Sequence, residues 1–115
     1  MTPEYSRSRR VALRQQDGLC IVCGKPISGG FDAHHLFVPK NYFHDRSRRA
    51  EIDEAWNLVA VHHGDCHGVL HTREGRRKAC LAKYALVEGG YEAVLLKVSA
   101  IMKTRPDLPE EDDDD

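Results

Sequence analysis

Apolar residues along the chain fall into short groups, and their spacing changes from helical to strand-like and back again. Thr2 before Pro3 has the character of a helix N-cap followed by proline in the first turn, and Asp17-Gly18 supplies a stop. Residues 3–16 are therefore predicted as a helix, with a stripe of Tyr5, Val11, Ala12 and Leu13 and with Arg7, Arg9, Arg10 and Arg14 mainly outside it. Residues 33–38 form a short apolar, histidine-bearing strand candidate ending at Pro39, and residues 57–61 form a second one rich in β-branched side chains. The polar stretch 40–56 between them is expected as a loop or short helix. From Asp65 or Cys66 the spacing turns helical and puts His67 and His71 on one face. Thr72 caps a further helix expected to run to about Glu88, where Gly89-Gly90 stops it, and residues 91–104 give a last helix before Pro106.

These elements make an α+β fold, a strand–strand–helix unit flanked by an N-terminal helix and C-terminal helices. Leu81, Tyr84, Ala85 and Leu86, then Val94, Leu95, Val98, Ile101 and Met102, read as core stripes. Trp56, Tyr42 and Cys80 are expected in the core as well. With 115 residues the chain has the size of one small domain, whose core is expected to need a metal staple. We expect a single domain over residues 1–109 and a disordered acidic tail over 110–115. No stretch approaches the roughly 18 apolar residues of a membrane span, and the first residues lack the apolar core of a signal peptide. The expectation is a soluble, cytoplasmic protein.

The candidate chemistry lies in cysteine and histidine. In a cytosolic chain a close Cys20-x-x-Cys23 pair is more often a metal knuckle than a disulfide. All seven histidines except His44 fall within 34–35 and 62–71. The ligands divide by softness into two sets. Cys20, Cys23 and Cys66 with one histidine make a sulfur-rich set of the structural zinc kind. The fourth ligand is His63 or His62, and the two-residue gap to Cys66 slightly favours His63. His34, His67 and His71 form a second set, which leaves coordination positions open as a catalytic ion requires. Three imidazoles favour Mn, Ni, Co or Zn over Mg in raw affinity. His35 follows His34 on a strand and so points to the opposite side, where a metal-free neutral imidazole suits proton transfer near neutral pH.

These residues resemble the HNH endonuclease superfamily, the ββα-metal or His-Me finger nucleases. The matching segments are Cys20 with Cys23, Ala33-His34-His35-Leu36, Asn57-Leu58-Val59-Ala60-Val61, and Cys66-His67-Gly68-Val69-Leu70-His71. The resemblance covers residues 19–72 and is nearest to the small free-standing proteins of phage type. It departs from the family in having a histidine where the first cysteine of the second knuckle is expected, and one extra residue between Asn57 and Cys66. In the family's register His62 takes that cysteine's position, against the spacing argument for His63. The resemblance implies a ββα-metal core with a zinc knuckle and metal-dependent hydrolysis of DNA phosphodiester bonds, by nicking or full cleavage, in the host cytoplasm if phage-encoded. It implies that His35 activates the attacking water, that Asn57 holds the two-strand loop, and that His34, His67 and His71 bind the ion. A homodimer and a phage DNA-packaging partner are the partners it brings into view besides DNA.

Charge changes the picture modestly. The formal net charge is -1, but residues 110–115 are all acidic, so the remainder carries 17 basic against 12 acidic residues. A basic body suits phosphate binding. Arg46, Arg48 and Arg49, and Arg73, Arg76, Arg77 and Lys78, flank the histidine motifs and are the candidate DNA contacts. Two rival readings use the same residues: a non-catalytic zinc-stapled nucleic-acid-binding module, and an adaptor whose metal only staples the fold.

Overall fold

A computed structural model describes residues 1–110 of the chain. Its first helix, α1, spans Pro3–Gln15; the Thr2 side chain accepts from the Tyr5 N–H and Pro3 sits in the first turn. Asp17 and Gly18, both at positive φ, then turn the chain. The next segment folds back as a tight loop in which Leu19 bridges to Pro26 and the Cys20 N–H donates to the Lys25 carbonyl. The Cys20-x-x-Cys23-Gly24 segment thus forms a hairpin-like turn, with Gly24 at positive φ.

Two short strands follow, β1 at Asp32–His35 and β2 at Leu58–Val61. They pair antiparallel, with His34 opposite Val59 and His35 opposite Leu58. Strand β1 is shorter than the apolar run 33–38 because its continuation leaves the ladder. The N–H groups of Phe37 and Val38 donate instead to the side-chain oxygen of Asn57, at 2.8 and 2.9 Å. Between the strands lie two 3-10 turns, Arg46–Glu51 and Ala55–Asn57, so Asn57 belongs to a turn and not to the second strand.

Helix α2 covers only Asp65–Val69. The expected helix through His71 is cut short because the Thr72 N–H and hydroxyl both return to the Val69 carbonyl. The same hydroxyl accepts from the Gly75 N–H and caps helix α3, Arg73–Tyr84. A Cβ on Gly75 would collide with the Val69 carbonyl oxygen, so this hinge between the helices requires glycine. Helix α3 stops at Tyr84 rather than near Glu88, in a turn that buries Val87 and leads through Gly89 into helix α4, Gly90–Met102.

The result is an α+β fold with a two-stranded antiparallel sheet and several helices. The core joins Leu36, Val38, Ile52, Trp56, Val59 and Val61 to Leu70, Cys80, Tyr84, Val94 and Val98. Burying such side chains is worth about 1.5–3 kcal/mol each before the entropy of ordering them is set against it. Gln16 locks α1 to the sheet: its amide donates to the Leu19 and Ala60 carbonyls and its oxygen accepts from the Ala60 N–H. Two side chains expected inside, Tyr42 and Ala85, are exposed; Tyr42 lies in the outer loop against Phe43, and Ala85 sits just past the end of α3. Lys83 is fully buried instead, donating to Gln15 Oε1 at 2.8 Å, and burial lowers its pKa to about 8. No helix among the described residues is long and apolar enough to cross a membrane. Leu108 and Pro109 still pack on the body, and beyond Glu110 the expected acidic tail lies outside the described residues.

Candidate metal centre

Two clusters of metal-ligating side chains form where the sheet meets α2. The first joins Cys20 and Cys23 from the tight loop, His62 from the end of β2 and Cys66 from α2, with their ligand atoms all within 4.8 Å of one another. Four donors at tetrahedral zinc distances stand about 3.5–3.8 Å apart. Here Cys23 Sγ lies 3.4 Å and Cys66 Sγ 4.0 Å from His62 Nδ1, so the set fits a zinc ion. It also separates the two candidate fourth ligands. His62 enters the cluster, and Gly64 at φ 79° lets the chain turn so that the longer gap to Cys66 closes. His63, favoured by spacing, is exposed and its Nδ1 lies 2.6 Å from Asp32 Oδ1.

The electrostatics of this cluster suit a cation. Burial opposes ionisation of Cys20, but N–H groups of Cys23, His62 and Val22 aimed at its sulfur outweigh that and bring the thiol down to about 6. Cys66 is pushed up to about 11, first by burial and then by the neighbouring sulfurs of Cys20 and Cys23. Three sulfurs this close resist sharing negative charge, and a divalent cation relieves that repulsion while deprotonating them.

The second cluster is His34 from β1, His67 from α2 and His71 from the turn after it. His34 Nδ1 lies 3.3 Å from His67 Nε2, and the His71 ring is 5.4 Å from that of His34 and 5.3 Å from that of His67. His71 joins the others although the helix has ended two residues before it. Burial, and then the neighbouring His67 and His71, lowers the His34 pKa to about 4, so this imidazole is neutral and available as a ligand. Asp32, which the sequence reading passed over, accepts from His67 Nδ1 at 2.7 Å and holds Nε2 toward His34. Such a carboxylate behind a ligating histidine fixes its ring and tautomer.

His35 stands outside this cluster. Its Nε2 lies 2.7 Å from Asp53 Oδ1, and the Tyr5 ring stacks on it at 5.9 Å. Burial lowers its pKa against the opposing pull of Asp53. It nevertheless lines the same pocket as His34, His67 and His71, a space of about 370 Å³ also lined by Ala33, Pro39, Lys40 and Asn41. Asn57 is fully buried, and its side-chain nitrogen donates to the Val38 and Ile52 carbonyls, each at 2.9 Å. With the two N–H groups it accepts, this amide uses its whole hydrogen-bonding capacity to shape the loop after β1.

The candidate basic contacts divide. Arg73, Arg76 and Arg77 line one groove with Asp107 and Pro109, and Arg76 lies close enough to weigh on the charge of His34. Arg46 and Arg49 line another cleft with Tyr5 and Asp53. The buried Nε of Arg49 has no hydrogen-bond partner among the described residues. Arg48 is already held by both oxygens of Glu51 and lies over the Phe43 ring, and Lys78 approaches Glu74 at 3.8 Å. Compared with protein-family models, curated proteins and solved structures, the chain has no match in any of the three.

Proposed function

We propose that the chain is a metal-dependent DNA endonuclease of the HNH, or ββα-metal, type, with His35 as general base. The observation that carries this reading is the pocket itself: three imidazoles able to share one ion, and a fourth beside them that is engaged elsewhere. The order strand, strand, helix and the buried Asn57 between the strands support it. His34, His67 and His71 would hold one divalent ion, with Mn, Ni, Co or Zn bound more tightly than Mg. When bound, such an ion neutralises charge on the phosphate and on the departing 3′ oxygen. Cys20, Cys23, His62 and Cys66 would hold a structural zinc that staples the loop, β2 and α2 together.

Burial lowers the pKa of His35, which favours the neutral imidazole a general base needs, and the residue lines the pocket where water would be activated. Asn57 sets the path of the chain after His35 and thereby the placement of the base. Arg46, Arg49, Arg73, Arg76 and Arg77 would contact the sugar–phosphate backbone, which carries no sequence information, so low sequence specificity is expected. A single site nicks one strand; double-strand cleavage needs a second copy or a second event.

Supercoiled plasmid tests the reading. Metal-stripped protein reloaded with zinc, then given Mg, Mn, Ni, Co or excess Zn, is expected to nick or linearise it, and folded His35→Ala is expected not to. DNA binding without cleavage under every ion would favour a zinc-stapled binding module instead.

A further inference from the structure

We propose that Asp53 is the positioning residue of the general base: its carboxylate holds His35 in the tautomer that protonates Nε2 and leaves the Nδ1 lone pair for the proton of water. The proposal rests on the nuclease reading for its catalytic half only.

The geometry is local and over-determined. A carboxylate accepts hydrogen bonds, so the 2.7 Å contact makes Nε2 the N–H of a neutral imidazole and Nδ1 the acceptor. The two side chains are 5% and 19% exposed, which shields their contact from competing water. Tyr5, from the first turn of α1, covers one face of the ring. Both partners hang from the same buried amide. Asn57 binds Phe37 and Val38 just beyond His35, and it binds the carbonyl of Ile52 immediately before Asp53. The Asp53 N–H returns to the Arg49 carbonyl, fixing its own backbone. The distance between base and carboxylate is thus set by a rigid element and not by two loose loops.

In the reaction, a water O–H proton passes to Nδ1 as the water oxygen bonds to phosphorus. The P–O3′ bond breaks with its electron pair going to the 3′ oxygen, which takes a proton from solvent. The imidazolium formed on His35 then faces the Asp53 carboxylate, which stabilises it as its charge appears.

The test uses the full chain with Asp53→Asn and, as the conservative variant, Asp53→Glu. Long-range proton–nitrogen NMR of the imidazoles, with His35 signals identified by their loss in His35→Ala, reads the tautomer; the amide spectrum reads the fold. Single-turnover plasmid nicking and DNA affinity are measured on the same samples. The wild type is expected to show the Nε2–H form. Asp53→Asn, whose amide can donate to Nε2, is expected to populate the Nδ1–H form. Its nicking rate should fall about 100- to 10,000-fold, the range a positioned general base contributes, with DNA affinity within about threefold. Asp53→Glu is expected to recover the Nε2–H form and part of the rate. A tautomer that ignores residue 53, or a folded Asp53→Asn cutting within about threefold of wild type, overturns the proposal. If the wild type cuts nothing with any ion while the tautomer still follows residue 53, the nuclease reading falls and the clamp on His35 stands.

Discussion

The cysteine cluster and the histidine cluster take neighbouring residues of α2, Cys66 and His67, yet they differ in every property that decides what an ion could do there. The first offers four donors, three of them sulfur, and so completes a tetrahedron. The second offers three nitrogens and opens on a pocket of about 370 Å³. A closed set spends its ion on holding chain segments together; an open one leaves coordination positions for water and phosphate. Their supports differ too. The Cys20 sulfur is steered by backbone N–H groups of Val22 and Cys23 in the loop and of His62 just past β2, while His67 is held by the Asp32 carboxylate, 35 residues away in sequence. One short helix thus contributes adjacent residues to two clusters of different ligand chemistry.

The strongest way to break this contrast is to remove the staple. Cys23→Ser changes an exposed position and leaves no core cavity, yet it should abolish tight zinc binding. Structural zinc contributes on the order of 10 kcal/mol, comparable to the whole stability of a domain. Zinc content and a thermal melt by circular dichroism should show metal-free protein without a cooperative transition. His67→Ala should do the reverse, keeping the zinc and the melt while plasmid nicking falls roughly 1,000-fold, the several kcal/mol that a metal supplies to a phosphoryl transition state. A smaller effect is expected from Asp32→Asn. It should weaken Mn binding at the open site by about 10- to 100-fold in a calorimetric titration and leave zinc content unchanged. Smallest of all, Arg76→Ala should lower DNA affinity a few-fold and reduce the slope of log affinity against log salt by about 1, with zinc content unchanged.

Much of this arrangement was legible in the sequence because it rests on local patterns. Thr2-Pro3 marks the start of α1, Cys-x-x-Cys-Gly marks the tight loop, and the histidine spacings mark the second cluster. What escaped was decided by contacts between distant segments. The apolar run 33–38 gives no sign that Asn57 will take the N–H groups of Phe37 and Val38 and end β1 early. Spacing favoured His63 because it cannot register the positive φ of Gly64, which brings His62 to the sulfurs. Asp32 and Asp53 are single carboxylates at no motif spacing, so only the folded chain puts them behind His67 and His35. Lysine is rarely buried unpaired, so nothing in the local sequence of α3 marks Lys83 as interior.

The most direct test of two clusters with separate roles is a cobalt titration of metal-free protein followed by absorbance and by plasmid nicking in the same samples. The first equivalent should give the strong thiolate-to-cobalt band and restore the fold without cleavage. Nicking should appear only as a second equivalent binds, and His67→Ala should show the first event alone. Full cleavage at one equivalent, or a second equivalent that binds at the histidines and never produces cleavage, would contradict the account.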